Sequence, residues 1–600
     1  MMLFTVSVYV RKPYEAEGFH LSDATYHVLL TMQAYDETPA SIHKWLPIQT
    51  FGDECNKYIA NGPSLIQDEN GNSFYISFSP LGFYLPYFFC KLFHLNLSIG
   101  SLYVFNCLLM LISALLSGYV MKLLLKDEIA FWFSALLYLV IPEVLYTQGI
   151  VYWHHSLSQV LLLLQIILFI ILFVDRKRSR SLWCMFFIVS FLYPYLEWTG
   201  YISNVGMAIG LLLLEKRILK EKDRINVSIS FFSLKVDLLL GLVTILACGY
   251  YLFRFSSIAS IKELVAMLFS RAGDRYEATL AELISGYKES FWPIMLGGLI
   301  CFFITMVFKA SRNELIQIFK NKNNRVMVFI FLFPLLENII LKEHAVLYTF
   351  DRLKASMILI FLISVCLYAL WRSYRLKACV VGIPLICACT VVGFNTYDSG
   401  KIVTLDQYSD TIVMRDYLNE QYLGSGKNVV VKSGWRAWGY LQTLYHRNMY
   451  CTFLYSEDEI DEIARNNGSD YIVTLEATSS DYIDTACYTR AVVEALSSNK
   501  YYQISVEDGI VNSEEITEVC TADYTDENWT NGIRNDDNTE ILFNNTNYNY
   551  TKLSNAQKLY INNREYKVIN IEYDDMWIRV WVDSDATECA YPSAVIPVDE

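Results

Sequence analysis

Residues 152–180 read YWHHSLSQVLLLLQIILFIILFVDRKRSR. Tyr152, Trp153, His154 and His155 stand at one end, a mostly apolar run from Leu157 to Val174 fills the middle, and Arg176, Lys177, Arg178 and Arg180 close the other. A helix needs about 20 apolar residues to cross a bilayer. A soluble core helix is rarely apolar on every face for so long. The stretch therefore predicts a membrane-spanning helix with an aromatic, histidine-bearing end and a basic end. Comparable runs are Ser101 to Leu125, Val236 to Phe253, Pro293 to Phe308, Val326 to Leu341 and Ala355 to Leu370. The chain of 600 residues is 54% hydrophobic and only 18% charged, too little charge for a set of ordinary soluble domains.

The ends of the other runs sort in the same way. Lys122 and Lys126, the cluster from Lys216 to Arg224, the cluster from Lys309 to Arg325, and Arg372, Arg375 and Lys377 fall on the side of Arg176. Glu197-Trp198-Thr199-Gly200-Tyr201, a long loop from Ser256 to Ser290, and Lys342-Glu343-His344 fall on the side of His155. Basic loops stay in the cytoplasm, so the first set is expected there and the second outside. The net charge of −14 argues against nucleic-acid binding, which needs basic stripes. The 14 cysteines include no CxxC pair and no zinc-like spacing. Cys451, Cys487, Cys520 and Cys589 can pair only if the tail is extracytoplasmic.

The expected fold is an α-helical polytopic membrane protein of about 11 spans, with a soluble C-terminal α/β plus all-β region. Met1 to Val10 is apolar but too short to span, and reads as the outer end of a first span whose start lies upstream. Residues 1–78 hold that partial span and an external loop. Residues 79–394 hold a juxtamembrane helix, begun by Ser79-Pro80 and carrying an aromatic belt, and the bundle. Residues 395–525 are expected to form an extracytoplasmic α/β domain, with strands at Asn428–Val431 and Tyr471–Thr474 around a helix at Glu457–Asn467. Residues 526–600 are expected to form a small β module, with strands at Glu540–Phe543, Lys567–Ile571 and from Met576.

Candidate chemistry lies on the outer side. Asp23, in His20-Leu-Ser-Asp-Ala-Thr-Tyr26-His27, is suited to act as a general base at a dry rim. Ser22 or Asp23 serves equally well as the N-cap of an amphipathic helix running to Tyr35. His27, His154, His155 and His344 gather on the same face, which suits a polar site or simply interfacial aromatics. No HxH or HExxH pattern defines a metal site. Glu197 and Glu337 are acids at span ends, costly unless paired or near water. The segment His344-Ala-Val-Leu-Tyr348-Thr-Phe-Asp-Arg352-Leu-Lys354 puts Arg and Lys against the prevailing charge rule. A guanidinium fork and an ammonium suit phosphate oxygens, and snorkelling to headgroups is the competing use. Arg271 and Arg275 stand in reach along the chain.

Over residues 1–395 the arrangement resembles the GT-C superfamily of polyprenyl-phosphate-sugar-dependent glycosyltransferases, the class of protein O-mannosyltransferases and the lipid A aminoarabinose transferase. Asp23-Ala24-Thr25-Tyr26 resembles that family's acidic pair followed by Tyr, with Ala at the second acid. Ser79 to Phe93 resembles its juxtamembrane helix, and His344 to Lys354 its late basic segment. His154-His155 replaces the acid usual in the second external loop, and the Arg-Tyr-x-x-Pro spelling is missing. The resemblance implies inverting transfer of a sugar from a polyprenyl-phosphate carrier to a glycan, lipid or protein acceptor, outside a bacterial cell membrane. It implies Asp23 as base, His344, Arg352 and Lys354 as holders of the donor phosphate, and Tyr26, His27, His154, His155, Glu197 and Tyr348 as sugar or acceptor contacts. No cofactor is firmly implied, and a divalent metal stays open. The alternatives are a transporter or flippase of lipid-linked sugars, and a non-catalytic receptor acting through its tail.

Overall fold

The computed structural model describes residues 1–11, 22–52, 65–149, 151–177, 179–215, 217–221, 224–228, 231–270, 278–401, 405–423, 427–433, 449–451, 457–479, 487–516, 532–533, 539–544, 553, 556–561, 564–573, 577–586 and 595–598. The chain opens with α1 (Met2–Arg11), α2 (Ser22–Glu37) and the short α3 (Ala40–His43). An antiparallel pair, β1 (Leu65–Gln67) and β2 (Ser73–Tyr75), precedes α4 (Leu81–Leu92), which lies where the juxtamembrane helix was expected. The bundle follows: α5 (Ile99–Leu125), α6 (Glu128–Tyr138), α7 (Pro142–Thr147), α8 (His154–Phe169, extended by a π turn to Val174), α9 (Arg180–Leu196) and α10 (Thr199–Glu215). A two-stranded hairpin, β3 (Arg217–Glu221) and β4 (Arg224–Ser228), occupies the basic stretch that the sequence reads as a plain loop.

The second half of the bundle holds α11 (Phe231–Phe255), α12 (Ile261–Ser270), α13 (Leu280–Val307), α14 (Lys309–Lys320), α15 (Lys322–Leu332), α16 (Leu336–Ile340), α17 (Lys342–Leu347), α18 (Ser356–Ser373) and α19 (Arg375–Lys401). Among the described residues, seven helical segments are long and apolar enough to cross a membrane, and α6, α9 and α10 are shorter apolar helices. The expected loop from Ser256 to Ser290 is instead largely helical. α13 starts at Leu280 because Thr279 and Glu282 form a reciprocal capping box, each side chain binding the other's backbone N–H. The run from Val326 to Leu341 is not one helix either. Pro334 lacks an N–H, and a 3₁₀ turn over Phe333–Leu335 separates α15 from α16.

The loops sort onto the two ends of the bundle. At one end Lys126 pairs with Asp175 at 2.6 Å, Arg176 with Glu215 at 3.7 Å and Arg372 with Glu314 at 3.6 Å. Lys322 donates to the Leu214 carbonyl at 2.8 Å at that same end. At the opposite end, Trp198 Nε1 donates to the Ser77 carbonyl at 3.3 Å, tying the α9–α10 turn to the chain before α4. α8 and α18 are buried almost throughout, whereas α11 and α19 have few fully buried residues, the pattern of central and lipid-facing helices in a bundle.

α20 (Leu405–Leu418) leads into a six-stranded sheet. Its strands are β5 (Val429–Ser433), β6 (Met449–Cys451), β7 (Tyr471–Ser479), β8 (Cys487–Ala495), β9 (Lys500–Glu507) and β10 (Ile510–Ile516), with α21 (Glu457–Asn466) between β6 and β7. The spatial order is β10-β9-β8-β7-β5-β6, with β5 parallel to both β6 and β7 and the remaining pairs antiparallel. A second six-stranded antiparallel sheet comprises β11 (Gly532–Ile533), β12 (Glu540–Asn544), β13 (Lys558–Ile561), β14 (Arg564–Tyr573), β15 (Trp577–Val582) and β16 (Val595–Val598). Each sheet has its own apolar core, around Val431, Val473 and Ile504 in the first and Phe543, Tyr566 and Val580 in the second. Cys520 and Cys589 lie outside the described residues, as do the side chains of Cys451 and Cys487.

Candidate functional site

Five chain segments place charged side chains together at the end of the bundle away from the basic loops. His155 sits in the first turn of α8, entered from an extended Trp153. Glu197 lies in the tight turn from α9 to α10. Gly200 makes that turn possible, because a Cβ there would collide with the main chain of Tyr193 and Pro194. Glu337 is on α16, after the Pro334 break, and His344 is on α17. Asp351 and Lys354 belong to a 3₁₀ helix over Thr349–Ala355 that precedes α18. With three residues per turn, positions i and i+3 eclipse, so Asp351 and Lys354 share a face and Arg352 leaves it.

His155 Nε2 lies 3.3 Å from Glu197 Oε1 and is bonded to Asp351 Oδ1. The other Asp351 oxygen pairs with His344 Nδ1 at 2.5 Å. One carboxylate thus bridges a buried imidazole and a half-buried one. Lys354 forms an ion pair with Glu337 and donates to Thr199 Oγ1 at 3.0 Å. The Thr199 hydroxyl also contacts Glu197 Oε1 at 2.7 Å and the Glu337 carboxylate. Phe78, Trp198 and Leu341 complete a cavity whose polar wall is His155, Glu197, Glu337, His344 and Asp351.

Three buried carboxylates face one ammonium here, an excess of two negative charges while the imidazoles are neutral. Uncompensated buried charge is costly, so the group calls for a cation or for protonated histidines. His155, Glu197 and Asp351 can each turn one ligand atom to a common point, all within 4.8 Å of one another. An imidazole with two carboxylates suits a divalent ion of the magnesium, manganese or zinc kind.

The remaining predicted residues take several places. The side chain of Asp23 lies outside the described residues, as do Arg271 and Arg275. Asp23 belongs to the first turn of α2, and two residues on Thr25 Oγ1 accepts from the Tyr152 N–H at 3.0 Å. His27 packs against Tyr75 and Trp153, with ring centroids 4.4 and 5.9 Å apart, and Tyr26 is buried. Neither is among the cavity's lining residues. His154 turns away from its neighbour, stacking on Phe78 at 4.5 Å and against Phe83 at 4.8 Å, in space left by Gly82. The Tyr348 ring lies tilted against His344, with centroids 4.5 Å apart.

Lys354 and two of the three guanidinium nitrogens of Arg352, both residues read as phosphate holders, are engaged by protein acceptors. Arg352 is 1% exposed. Its Nε donates to Ser290 Oγ at 3.0 Å and its Nη1 to the Ala345 carbonyl at 3.3 Å. Asp351, Glu143 and Ser290 escaped the sequence reading. The spacing Asp351-x-x-Lys354 carried the signal, but only in a 3₁₀ register.

No family model matches the chain, and no curated protein matches it. Among solved structures, the crystal structure of the Archaeoglobus fulgidus oligosaccharyltransferase, tethered with an acceptor peptide containing the NVT sequon, aligns with 76% of this chain and 69% of its own. The identity is 11% and the TM-score 0.39. An overlap of that quality establishes neither a common fold nor a common activity.

Proposed function

We propose that this protein is an integral-membrane glycosyltransferase that moves a sugar from a polyprenyl-phosphate carrier to a glycan, lipid or protein acceptor outside the cytoplasm, inverting the anomeric carbon. The observation that carries the reading is the convergence of His155, Glu197, Glu337, His344 and Asp351 on one cavity at the end of an apolar bundle. A phosphate headgroup anchored by a lipid tail meets protein at such a helix end. The motif resemblance around Asp23 and Ser79 to Phe93 supports the same reading.

In this reading Asp23 accepts the acceptor's hydroxyl proton as that oxygen attacks the sugar. The tie between Thr25 and Tyr152 holds the first turn of α2 beside the segment that leads into α8 and His155. His155, Glu197 and Asp351 would hold a divalent cation, which when bound supplies charge neutralisation for the departing phosphate. His344 at the mouth donates to phosphate oxygens, and Lys354 adds positive potential from behind. Tyr348 and Trp198 offer aromatic faces to a sugar.

The test uses the full chain in proteoliposomes, with a labelled polyprenyl-phosphate sugar and a membrane extract as acceptor. Wild type is expected to release polyprenyl phosphate and label the acceptor. Asp23→Asn and Asp351→Asn are expected to lower transfer by roughly 100-fold or more with unchanged circular dichroism. Full transfer by both variants overturns the assignment. Movement of the intact labelled lipid between leaflets without sugar transfer makes the protein a flippase.

A further inference from the structure

We infer that Glu143, Ser290 and Arg352 form a buried relay that positions Asp351, so that Arg352 acts through its neighbour and not on the donor. The inference rests on the cation site and cavity proposed above. Arg352 is the bulkiest fully buried side chain among the described residues and does not line the cavity. Its Nε donates to Ser290 Oγ at 3.0 Å. The Ser290 hydroxyl donates in turn to Glu143 Oε2 at 2.6 Å, and Thr147 donates to Glu143 Oε1 at 2.5 Å. A guanidinium and a carboxylate thus compensate each other through one shared hydroxyl, and each bond of such a chain polarises the next.

The fold makes room for this arrangement. Gly286 lies one turn before Ser290 on α13, and a Cβ there would fall on the Arg352 guanidinium. Residue 351 is held from the same helix. Asn338 Nδ2 donates to the Asp351 carbonyl at 3.2 Å and to Tyr287 OH at 2.8 Å. Tyr287 and Ser290 are three residues apart and lie on one side of α13. The backbone of Asp351 and the side chain of Arg352 are therefore both referred to α13, which aims the Asp351 carboxylate between His155 and His344. Swinging Arg352 out to a phosphate would strand Glu143 in the bundle without a cation. Partners that orient metal ligands typically change metal affinity by about 10- to 100-fold when removed.

The experiment compares wild type with Ser290→Ala, Ser290→Thr and Glu143→Gln as full-length protein in detergent. It measures Mn²⁺ affinity by calorimetry, the KM and kcat of sugar transfer, and the rate at which diethyl pyrocarbonate modifies His344. Ser290→Ala is expected to weaken Mn²⁺ binding about tenfold, to raise donor KM more than it lowers kcat, and to speed His344 modification. Ser290→Thr keeps the hydroxyl and is expected to restore all three. Unchanged Mn²⁺ affinity in both Ser290→Ala and Glu143→Gln, with wild type binding the ion, overturns the relay and leaves the cation site standing. If wild type binds no Mn²⁺, the cation site falls, and His344 decides. Faster modification in Ser290→Ala, reversed in Ser290→Thr, upholds the relay, and an equal rate in all variants overturns it.

Discussion

Asp68 shows how much one side chain settles in the outer segment. Its Oδ2 takes Lys44 Nζ at 2.8 Å, and its Oδ1 accepts the N–H groups of Asn70 and Asn72 at 3.0 Å each. Burial alone would raise its pKa, but the Lys44 hydrogen bond and those backbone donors outweigh it and hold the carboxyl below its ordinary value. A depressed folded value means that the stabilisation is complete above the unfolded carboxylate range and disappears as pH falls through the folded value. Asp68→Asn is therefore expected to cost about 1 kcal/mol near neutral pH. The gap in melting temperature from wild type should begin to narrow as the pH drops below about 4 and close only below the depressed folded value. Scanning fluorimetry of both proteins across that range checks it, and a gap that widens with acid would refute it. At this scale the sequence is only partly readable. His154 and His155 are neighbours of one chemical type, yet one stacks inside an aromatic box and the other meets two carboxylates. Nothing local separates them, because Gly82 and Asp351, the residues that do, are far away along the chain.

Among the elements, the hairpin of β9 and β10 escaped the sequence reading although its turn carries its own chemistry. β9 and β10 are joined by Asp508 and Gly509 alone, with φ of 51° and 75°. Two consecutive left-handed residues make the tight turn that matches the twist of a hairpin. Glycine adopts that φ freely and a Cβ does not, so Gly509→Ala is expected to destabilise the sheet by about 1 kcal/mol, measurable as faster amide exchange in β9 and β10. The apolar runs from Ser101, Leu157 and Ala355 appear as α5, α8 and α18 with small shifts. Val326 to Leu341 falls within a segment long and apolar enough to cross, but its break was hidden because hydropathy does not register the missing N–H of Pro334. The 3₁₀ register at Thr349–Ala355 was hidden for a different reason. No composition distinguishes it from α-helix, yet it alone decides that Lys354 faces Glu337 while Arg352 turns to Ser290.

For the whole molecule, the segregation of basic loops from the histidine- and carboxylate-bearing ones was readable because lipid forces long apolar runs and leaves charge only at their ends. The cavity was not readable, since it exists only where five distant segments meet. If the basic end is cytoplasmic, single cysteines at Lys177 and Lys342 in a cysteine-free background should react with an impermeant maleimide from opposite faces of sealed cells or inverted vesicles. Labelling of both from the same face would refute the assigned orientation. Glu143 adds a consequence for how such a chain is made. Ser290 emerges from the ribosome 147 residues after it, and Arg352 a further 62 residues later. During that interval the nascent chain carries a carboxyl destined for the bundle's interior with its counter-charge not yet synthesised. The interior around Glu143 reaches its final arrangement only with the arrival of the segment before α18, which completes the contact from Arg352 through Ser290 to that carboxyl.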